Sequence, residues 1–343
     1  MKLEERSQYP VYLLSLGCSK NLVDAEFMVA QLRRAGYPIV QKPEEARVLI
    51  VNTCGFIDAA KEEAIAATLD LADYKEASCE LLVMTGCLSE RYTDEIECSL
   101  PEVDLILGAK SYFELVPALD EALFGERSKK IYKSSQKDDA IRHLHGKRKP
   151  ATSVYAYLKI AEGCFHHCTY CAIPLIRGQH ISRPMEELVQ EAKDLIDQGY
   201  QELIMVAQDL SAYGTDLYGK RCLNELIAKL LEIPGLQRLR TLYLYCDAIN
   251  DQFIDLMAKH DAFVPYIDLP IQHASNRILK RMGRRETKEQ LLEVFHRLRE
   301  RIPGVALRTT VMVGFPGETD EDFQELLDFI KTIRFAHLGC FIY

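Results

Sequence analysis

The sequence predicts an α/β protein with two domains, an N-terminal doubly wound parallel sheet followed by a partial (β/α)6 barrel. Short, nearly continuous apolar runs alternate with helical patterns in two stretches of the chain, and a polar, basic stretch separates them. Such runs are typical of parallel strands buried on both faces. A length of 343 residues also corresponds to about two domains. We therefore place the first domain at 1–124, a basic linker at 125–152 and the second domain at 153–343.

In the first domain, four apolar runs are interpreted as strands: 11–17, 47–53, 80–86 and 103–108. Each run is followed by a helical pattern of spaced apolar residues. The helical patterns begin after Cys18, at about residue 58 and after Cys87, and a last one ends near Phe124. Alternation of this kind predicts a parallel sheet with helices on both faces.

The second domain begins a new alternation at Tyr155. Its six predicted strands are 155–161, 202–208, 240–246, 265–271, 306–315 and 337–343. Helical patterns fill the gaps at about 184–198, 222–231, 250–259, 274–282, 286–301 and 319–333. A complete (β/α)8 barrel takes about 250 residues. About 190 residues follow the linker, which favours a partial barrel of six units.

Composition excludes several classes of protein. The hydrophobic fraction is 48% and the charged fraction 27%, which excludes global disorder. No uncharged apolar run reaches the roughly 18 residues that span a bilayer, and the first residues lack the apolar segment of a secretory signal. We therefore expect a cytoplasmic location and no membrane partner. In a reducing compartment, the eleven cysteines are better explained as metal-binding, catalytic or buried thiols than as disulfides.

Charge is distributed unevenly along the chain. The net charge is −9, and residues 1–124 hold 11 Lys/Arg against 22 Asp/Glu, so the first domain would repel phosphate. Residues 125–150 hold nine basic and three acidic residues and would attract it. The run Lys147-Arg148-Lys149 is interpreted as part of a solvated linker, with contact to RNA or to an acidic protein surface as the alternative.

Cys164, Cys168 and Cys171 form a CxxxCxxC motif directly after the first strand of the second domain. In a loop, this spacing lets three thiolates face one point, and thiolates select zinc or iron–sulfur clusters. A closed zinc site takes four ligands, so a zinc site that recruits His166 or His167 is one alternative, and three buried thiols without a metal are another. Three ligands fit a 4Fe-4S cluster with one iron left open for a substrate or cofactor.

This motif resembles that of the radical S-adenosylmethionine (SAM) enzymes, CxxxCxφC, in which φ is aromatic and is Tyr170 here. The resemblance implies that SAM binds the open iron through its amino and carboxylate groups. Reductive cleavage of SAM then yields a 5′-deoxyadenosyl radical, which abstracts a hydrogen atom. The cofactor supplies this chemistry, and the protein positions it and excludes water. Tyr170 is therefore a candidate SAM contact.

Three further cysteines, Cys18, Cys54 and Cys87, each follow an apolar strand of the first domain. The carboxyl ends of parallel strands gather at one edge of a sheet, where ligands bind. We therefore expect these thiols to meet in space and to hold a second cluster. Neighbouring glycines allow close backbone approach, and helix N-termini favour an anionic group. The alternative is three buried strand-end thiols. The other five cysteines lack such a pattern and are interpreted as structural.

Two three-cysteine sets of this kind resemble the radical-SAM methylthiotransferases. The segments LSLGCSKNLVDAE, VNTCGFIDAAKEEAI, YLKIAEGC…CTYCAIPLIRG and LIMVAQDLSAYG are most similar to the ribosomal-protein aspartate methylthiotransferases, the RimO type. The tRNA methylthiotransferases typically carry a YGCQMN-like motif where this sequence has LGCSKN, and a GQN-like motif where it has AQD. The family usually ends in a TRAM β-barrel, which we do not expect here because the sequence ends at Tyr343.

The resemblance implies a transferase of sulfur-containing groups that inserts a methylthio group at the β-carbon of an aspartate in small-subunit ribosomal protein uS12. The CxxxCxxC motif then holds a SAM-cleaving 4Fe-4S cluster, and the three strand-end cysteines hold an auxiliary 4Fe-4S cluster that delivers sulfur. SAM serves in radical generation and in methyl donation, and an electron donor such as a flavodoxin-type protein is a partner. The alternative enzyme is a tRNA adenosine (isopentenyl-adenosine) methylthiotransferase, and the non-enzyme alternative is an iron–sulfur carrier protein.

Four other residues are candidate SAM contacts. Gln208 and Asp209 follow the second strand of the barrel, where barrel active sites gather; a helix cap by Asp209 is the alternative. Arg308 stands within an apolar strand and requires an anionic partner, which is either the SAM carboxylate or a neighbouring acid. Gly314 allows the backbone to approach SAM, and an ordinary strand-to-helix turn is the alternative.

Overall fold

The computed structural model describes residues 2–125, 131–132 and 148–343 and divides the chain into two compact units. The first unit runs to Ala151 and also includes the segment Leu175–Gln179. The second unit consists of Thr152–Pro174 and His180–Tyr343. Most of the predicted linker, including Lys147, lies outside the described residues.

The first unit is built on a parallel sheet. Its strands, in spatial order, are β1 (Val11–Ser15), β2 (Val48–Thr53), β3 (Leu81–Gly86), β4 (Leu105–Leu107) and β5 (Ile131–Tyr132). The four predicted strands are confirmed. The fifth strand corrects the prediction of a linker over 125–152, because Ile131 and Tyr132 pair in parallel with β4.

The first sheet is doubly wound, as predicted. After the first crossover, the chain returns to the outer side of β1, where Val11 N donates to Pro38 O (2.8 Å) and Val40 N donates to Val11 O (3.0 Å). The chain then crosses to the other side of β1 and forms β2. Right-handed crossovers in opposite directions place their helices on opposite faces. Every residue of β2 and β3 is buried, as a sheet covered on both faces requires.

The helices of the first unit are α1 (Lys2–Arg6), α2 (Ser19–Ala35), α3 (Asp58–Ala72), α4 (Cys87–Arg91), α5 (Thr93–Ser99) and α6 (Leu115–Phe124). One core cluster joins Ala64 of α3 and Leu88 of α4 to Leu49 and Met84 of the sheet. The helix predicted over 58–77 ends at Ala72 and continues as a 3-10 turn.

One basic residue of the predicted solvated linker is buried, which corrects that interpretation. The side chain of Arg148 is 1% exposed and pairs with Glu26 of α2. Its guanidinium lies 5.5 Å from the centre of the Phe27 ring. Burial of a cation is tolerated here because Glu26 provides the opposite charge. The neighbouring Lys149 is exposed, as predicted.

The second unit contains an open parallel sheet of six strands, as the partial-barrel prediction required. In chain order they are β6 (Tyr155–Lys159), β9 (Glu202–Val206), β10 (Arg238–Thr241), β11 (Phe263–Asp268), β12 (Ala306–Val313) and β13 (His337–Ile342). A small antiparallel pair, β7 (Ala161–Glu162) and β8 (Ile181–Ser182), follows β6.

Helices alternate with the strands of the second unit. The remaining helices are α7 (Ile173–Arg177), α8 (Met185–Asp197), α9 (Leu223–Leu231), α10 (Asp251–Lys259), α11 (Asn276–Arg281), α12 (Lys288–Arg301) and α13 (Asp320–Ile333). Three of the five residues of α7 belong to the first unit. The buried faces of the other helices and the sheet form one continuous apolar core. Of the helices in the described part of the chain, none is long and apolar enough to cross a bilayer.

Candidate functional site

The three strand-end cysteines of the first unit occupy matching positions. Cys18 precedes the first residue of α2, Cys54 follows β2, and Cys87 is the first residue of α4 directly after β3. The strands are paired in parallel, with Ser15 opposite Asn52 and Thr53 opposite Gly86, so their carboxyl ends lie at one edge of the sheet. The structure therefore brings the three loops together, as the sequence predicted.

Two glycines allow these loops to touch. A Cβ atom on Gly17, whose φ is +87°, would lie 2.7 Å from Cys54 Cβ. A Cβ atom on Gly55 would lie 2.7 Å from Leu88 Cα, beside Cys87. Any side chain at either position would therefore push neighbouring cysteine loops apart.

Two asparagines join the loops by hydrogen bonds. Asn21 Nδ2 donates to Leu16 O (2.7 Å), and Asn52 Nδ2 donates to Asn21 O (2.8 Å). Both side chains are buried, where unsatisfied amides would be costly. They fix the end of β1 against the end of β2, a role that the sequence analysis missed.

The three thiols have different acidities. Burial raises the pKa of Cys87 to about 11, against the opposing charge of Arg177, and burial also raises the pKa of Cys54. At Cys18, desolvation raises the pKa, but the Lys20 ammonium, the Asn21 backbone N–H and the Arg177 guanidinium together outweigh it, and the pKa falls below its ordinary value. Metal binding requires thiolates, and Cys18 is the one of the three whose pKa lies below its ordinary value.

Arg177, which the sequence analysis did not single out, lies against Cys87. Its Nε and Nη2 donate to Cys87 Sγ at 3.3 and 3.1 Å, and its Nη1 donates to Asp24 Oδ2 at 2.6 Å. The side chain is 2% exposed. The available signal was a cation among apolar residues in CAIPLIRG.

The chemistry of this donor set is that of an iron–sulfur cluster site, since such clusters are held by cysteine thiolates. Among the described residues, no three Cys, His, Asp or Glu side chains are arranged around one metal ion. Three thiols at one sheet edge, with a buried guanidinium beside one of them, supply both soft ligands and a counter-charge for an anionic group.

The CxxxCxxC cysteines of the second unit lie on the loop between β7 and α7. Burial raises the pKa of Cys164 to about 12, and nearby Cys171 and Cys168 contribute to the rise. Thr169 N donates to Met282 O (3.0 Å), and a Cβ atom on Gly283 would lie 2.8 Å from His167 O. The loop is thus held closely against the segment after α11, with its thiols near one another.

Asp209 organises the side chain of His166. The Oδ2 of Asp209 lies 2.9 Å from His166 Nε2, and its Oδ1 accepts from Ser211 N (2.8 Å). The residues after Asp209 form turns, so the alternative of a helix cap is not what the structure shows. The His166 ring stacks on Tyr245 with centroids 4.3 Å apart. This hydrogen bond engages Nε2, one of the two ring nitrogens of His166.

Gln208 has one satisfied and one unsatisfied amide atom. Its Nε2 donates to Glu162 Oε1 at 2.6 Å, whereas its buried Oε1 has no hydrogen-bond partner among the residues that the structure describes. A buried acceptor without a partner costs about 1–3 kcal/mol. A ligand N–H group would satisfy it.

The other predicted contacts lie in different surroundings. Tyr170 packs on the apolar cluster of Ile278, Met282 and Phe315, and burial raises its pKa. Arg308 Nη1 donates to Asp268 Oδ1 at 2.6 Å, which is the acidic-neighbour alternative. Gly314 has a φ of +74°, and a Cβ atom there would meet no atom of the described residues within 4 Å.

A cavity of about 290 Å³ opens beside Cys168 in the second unit. One wall is a stack in which Tyr245 lies between His166 and the Arg284 guanidinium, which is 4.4 Å from the ring centre. Arg284 Nη2 donates to Pro270 O and to Glu286 Oε1, both at 2.9 Å. The cavity places aromatic and charged groups next to a cysteine of the motif.

Comparison with known proteins matches both units. Residues 158–330 match the Radical SAM superfamily, and residues 10–108 match Uncharacterized protein family UPF0004. The chain is 46% identical over 338 residues to the ribosomal protein uS12 methylthiotransferase RimO of Acetivibrio thermocellus, covering 97% of this chain and 74% of that protein. The same enzyme of Caldicellulosiruptor saccharolyticus is 43% identical, with 97% and 76% covered.

Solved structures show the same fold at low identity. The radical S-adenosylmethionine methyltransferase TsrM from Kitasatospora setae matches with a TM-score of 0.69 and 13% identity, covering 97% of this chain and 72% of that one. The cobalamin-dependent S-adenosylmethionine radical enzyme OxsB matches with a TM-score of 0.65 and 12% identity, covering 94% and 52%. These two similarities support the predicted fold class.

Proposed function

Since the chain belongs to the radical-SAM methylthiotransferases of the RimO type, we propose that it inserts a methylthio group at the β-carbon of an aspartate in ribosomal protein uS12. The observation that carries this proposal is the 46% identity, over 97% of the chain, to an enzyme named for that substrate. The chain is an enzyme that transfers sulfur-containing groups, and SAM and 4Fe-4S clusters are its cofactors.

In this proposal the chain holds two clusters. Cys164, Cys168 and Cys171 bind the one at which SAM is cleaved, and the three strand-end cysteines of the first unit bind the auxiliary one. Support comes from the position of each set, on loops at strand ends of its own unit. When bound, the clusters and SAM supply a 5′-deoxyadenosyl radical, sulfur and a methyl group.

The remaining residues position SAM. Glu162 orients Gln208 so that its free Oε1 accepts a hydrogen bond from SAM, and Gly314 keeps open space beside its backbone. Asp209 fixes His166 next to Cys164, whose Sγ accepts from His166 N at 3.4 Å. Tyr170 closes the loop onto an apolar cluster. Nη1 of Arg308 donates a hydrogen bond to Asp268, so a contact with SAM would use the other N–H groups of Arg308.

We expect anaerobic reconstitution to load about eight irons per chain, from two four-iron clusters. The triple change Cys18→Ala, Cys54→Ala and Cys87→Ala should leave about four, because it removes every thiol of the auxiliary set. Iron and zinc are measured by elemental analysis. Four irons in the unaltered protein, or zinc in their place, would contradict the two-cluster proposal.

The substrate is tested by supplying both candidates to the reconstituted enzyme with SAM and a flavodoxin-type electron donor. We expect mass spectrometry to find a methylthio group on an aspartate of uS12, and none on tRNA carrying isopentenyl-adenosine. A matched uS12 control carries alanine at the modified aspartate and should remain unmodified. Methylthio-adenosine as the product would overturn the choice of substrate. If SAM is cleaved but neither uS12 nor tRNA is modified, both candidate substrates are contradicted.

A further inference from the structure

We propose that Arg177 is a positioning residue for the auxiliary cluster, which orients Cys87 as a ligand and raises the reduction potential of the group it holds. This inference rests on the proposed function, because it takes Cys87 to be a cluster ligand. Arg177 is assigned from its contacts with Cys87, Asp24 and Asn21, all within the first unit.

The planar guanidinium donates hydrogen bonds to three partners, Cys87, Asp24 and Asn21. Nε and Nη2 converge on Cys87 Sγ at 3.3 and 3.1 Å, and Nη1 donates to Asp24 Oδ2 at 2.6 Å. Nη2 also donates to Asn21 Oδ1 at 3.0 Å. A fork of this shape is specific to arginine, because a lysine ammonium is a point charge that cannot present two parallel donors.

Asp24 and Asn21 connect the Arg177 guanidinium to the cysteine loops. Asp24 and Asn21 both belong to α2, which begins directly after Cys18. Asn21 also donates to Leu16 O (2.7 Å). The side chain that contacts Cys87 is therefore held by the helix that follows Cys18, so Arg177 fixes the two loops relative to each other.

Hydrogen bonds to a ligand sulfur change the properties of a cluster. Reduction adds negative charge, which N–H donors and a nearby cation stabilise, so the reduction potential rises. The effect is largest where water is excluded, and the Arg177 and Asp24 side chains are 2% and 3% exposed. Asp24 neutralises part of the charge, but the two N–H···S bonds remain.

The test measures the auxiliary cluster by itself, in full-length protein that carries alanine at Cys164, Cys168 and Cys171. Two variants are compared in this background: Arg177→Lys, and the double change Arg177→Gln with Asp24→Asn. The double change removes both charges of the Arg177–Asp24 ion pair, and Arg177→Lys keeps a cation beside Asp24. The matched control is Arg148→Lys, which alters another buried arginine of the same unit, paired with Glu26. Midpoint potentials come from redox titration followed by electron paramagnetic resonance.

We expect the double variant to lower the midpoint potential, with about a tenfold smaller ratio of reduced to oxidised cluster at a fixed potential, which corresponds to about 59 mV. The midpoint potential of Arg177→Lys should lie between those of the double variant and the parent, and that of Arg148→Lys should equal the parent value. Iron-loaded Arg177 variants with the parent potential would overturn the inference alone. A variant that loses its iron and its circular dichroism signal together would also overturn it, since Arg177 would then be merely structural. If the parent background binds no iron, the cluster assignment itself fails.

Discussion

The triple change Cys164→Ala, Cys168→Ala and Cys171→Ala is expected to reduce 5′-deoxyadenosine formation from SAM to the background level. The three thiols lie on one loop. Burial, the Asp209 carboxylate and the neighbouring thiols raise the pKa of Cys164 to about 12. Without them, nothing on this loop replaces the soft ligands that hold iron. 5′-Deoxyadenosine is quantified by chromatography and mass spectrometry after anaerobic incubation with SAM and dithionite.

The matching change in the first unit is expected to fail at a different step. Cys18→Ala, Cys54→Ala and Cys87→Ala should still permit SAM cleavage but yield no methylthio product, because the two cysteine sets lie on different loops of different units. A control that removes three unassigned cysteines, Cys79→Ala, Cys98→Ala and Cys340→Ala, should retain both products. Methylthiolation at the normal rate by the first-unit variant would show that its cysteines have no role in sulfur delivery.

The main elements of the fold could be predicted because a parallel strand buried on both faces requires a nearly continuous run of apolar residues. The runs around β2 and β3 are apolar on both faces, and every residue of these strands is buried. Strand ends were less predictable. The apolar run 240–246 stops being a strand after Thr241, because Tyr243 has a φ of +64° and turns the chain. The run contains no glycine or proline from which that turn could be predicted.

The gathering of the three strand-end cysteine loops could be predicted for a topological reason. Once the strands are parallel, residues after β1, β2 and β3 must gather at one edge, so the positions of Cys18, Cys54 and Cys87 follow from chain order. Arg177 could not be found this way. Its partners Cys87 and Asp24 stand 90 and 153 positions away in the sequence, and no local pattern encodes such a contact. The same holds for Arg148, which is 122 positions from Glu26.

Gly86→Ala is expected to destabilise the first unit by about 3 kcal/mol or more. Gly86 directly precedes Cys87 and has φ +99° and ψ −157°, a conformation open essentially only to glycine. A Cβ atom would also lie 2.5 Å from Thr53 O, a backbone atom of the neighbouring strand. The chain would have to move β3 away from β2, and Cys87 with it. The free energy of unfolding is measured by urea denaturation followed by circular dichroism.

The control for Gly86→Ala separates backbone strain from the clash. Gly199 has nearly the same φ, +98°, but a Cβ atom there meets nothing within 4 Å. Gly199→Ala should therefore cost only the strain of a left-handed alanine, about 1–2 kcal/mol. It should leave the iron content unchanged, whereas Gly86→Ala should lower the iron bound by the first unit when Cys164, Cys168 and Cys171 are alanine. Equal losses of stability with full iron content in both variants would show that the approach of Gly86 to Thr53 does not hold the cysteine edge together.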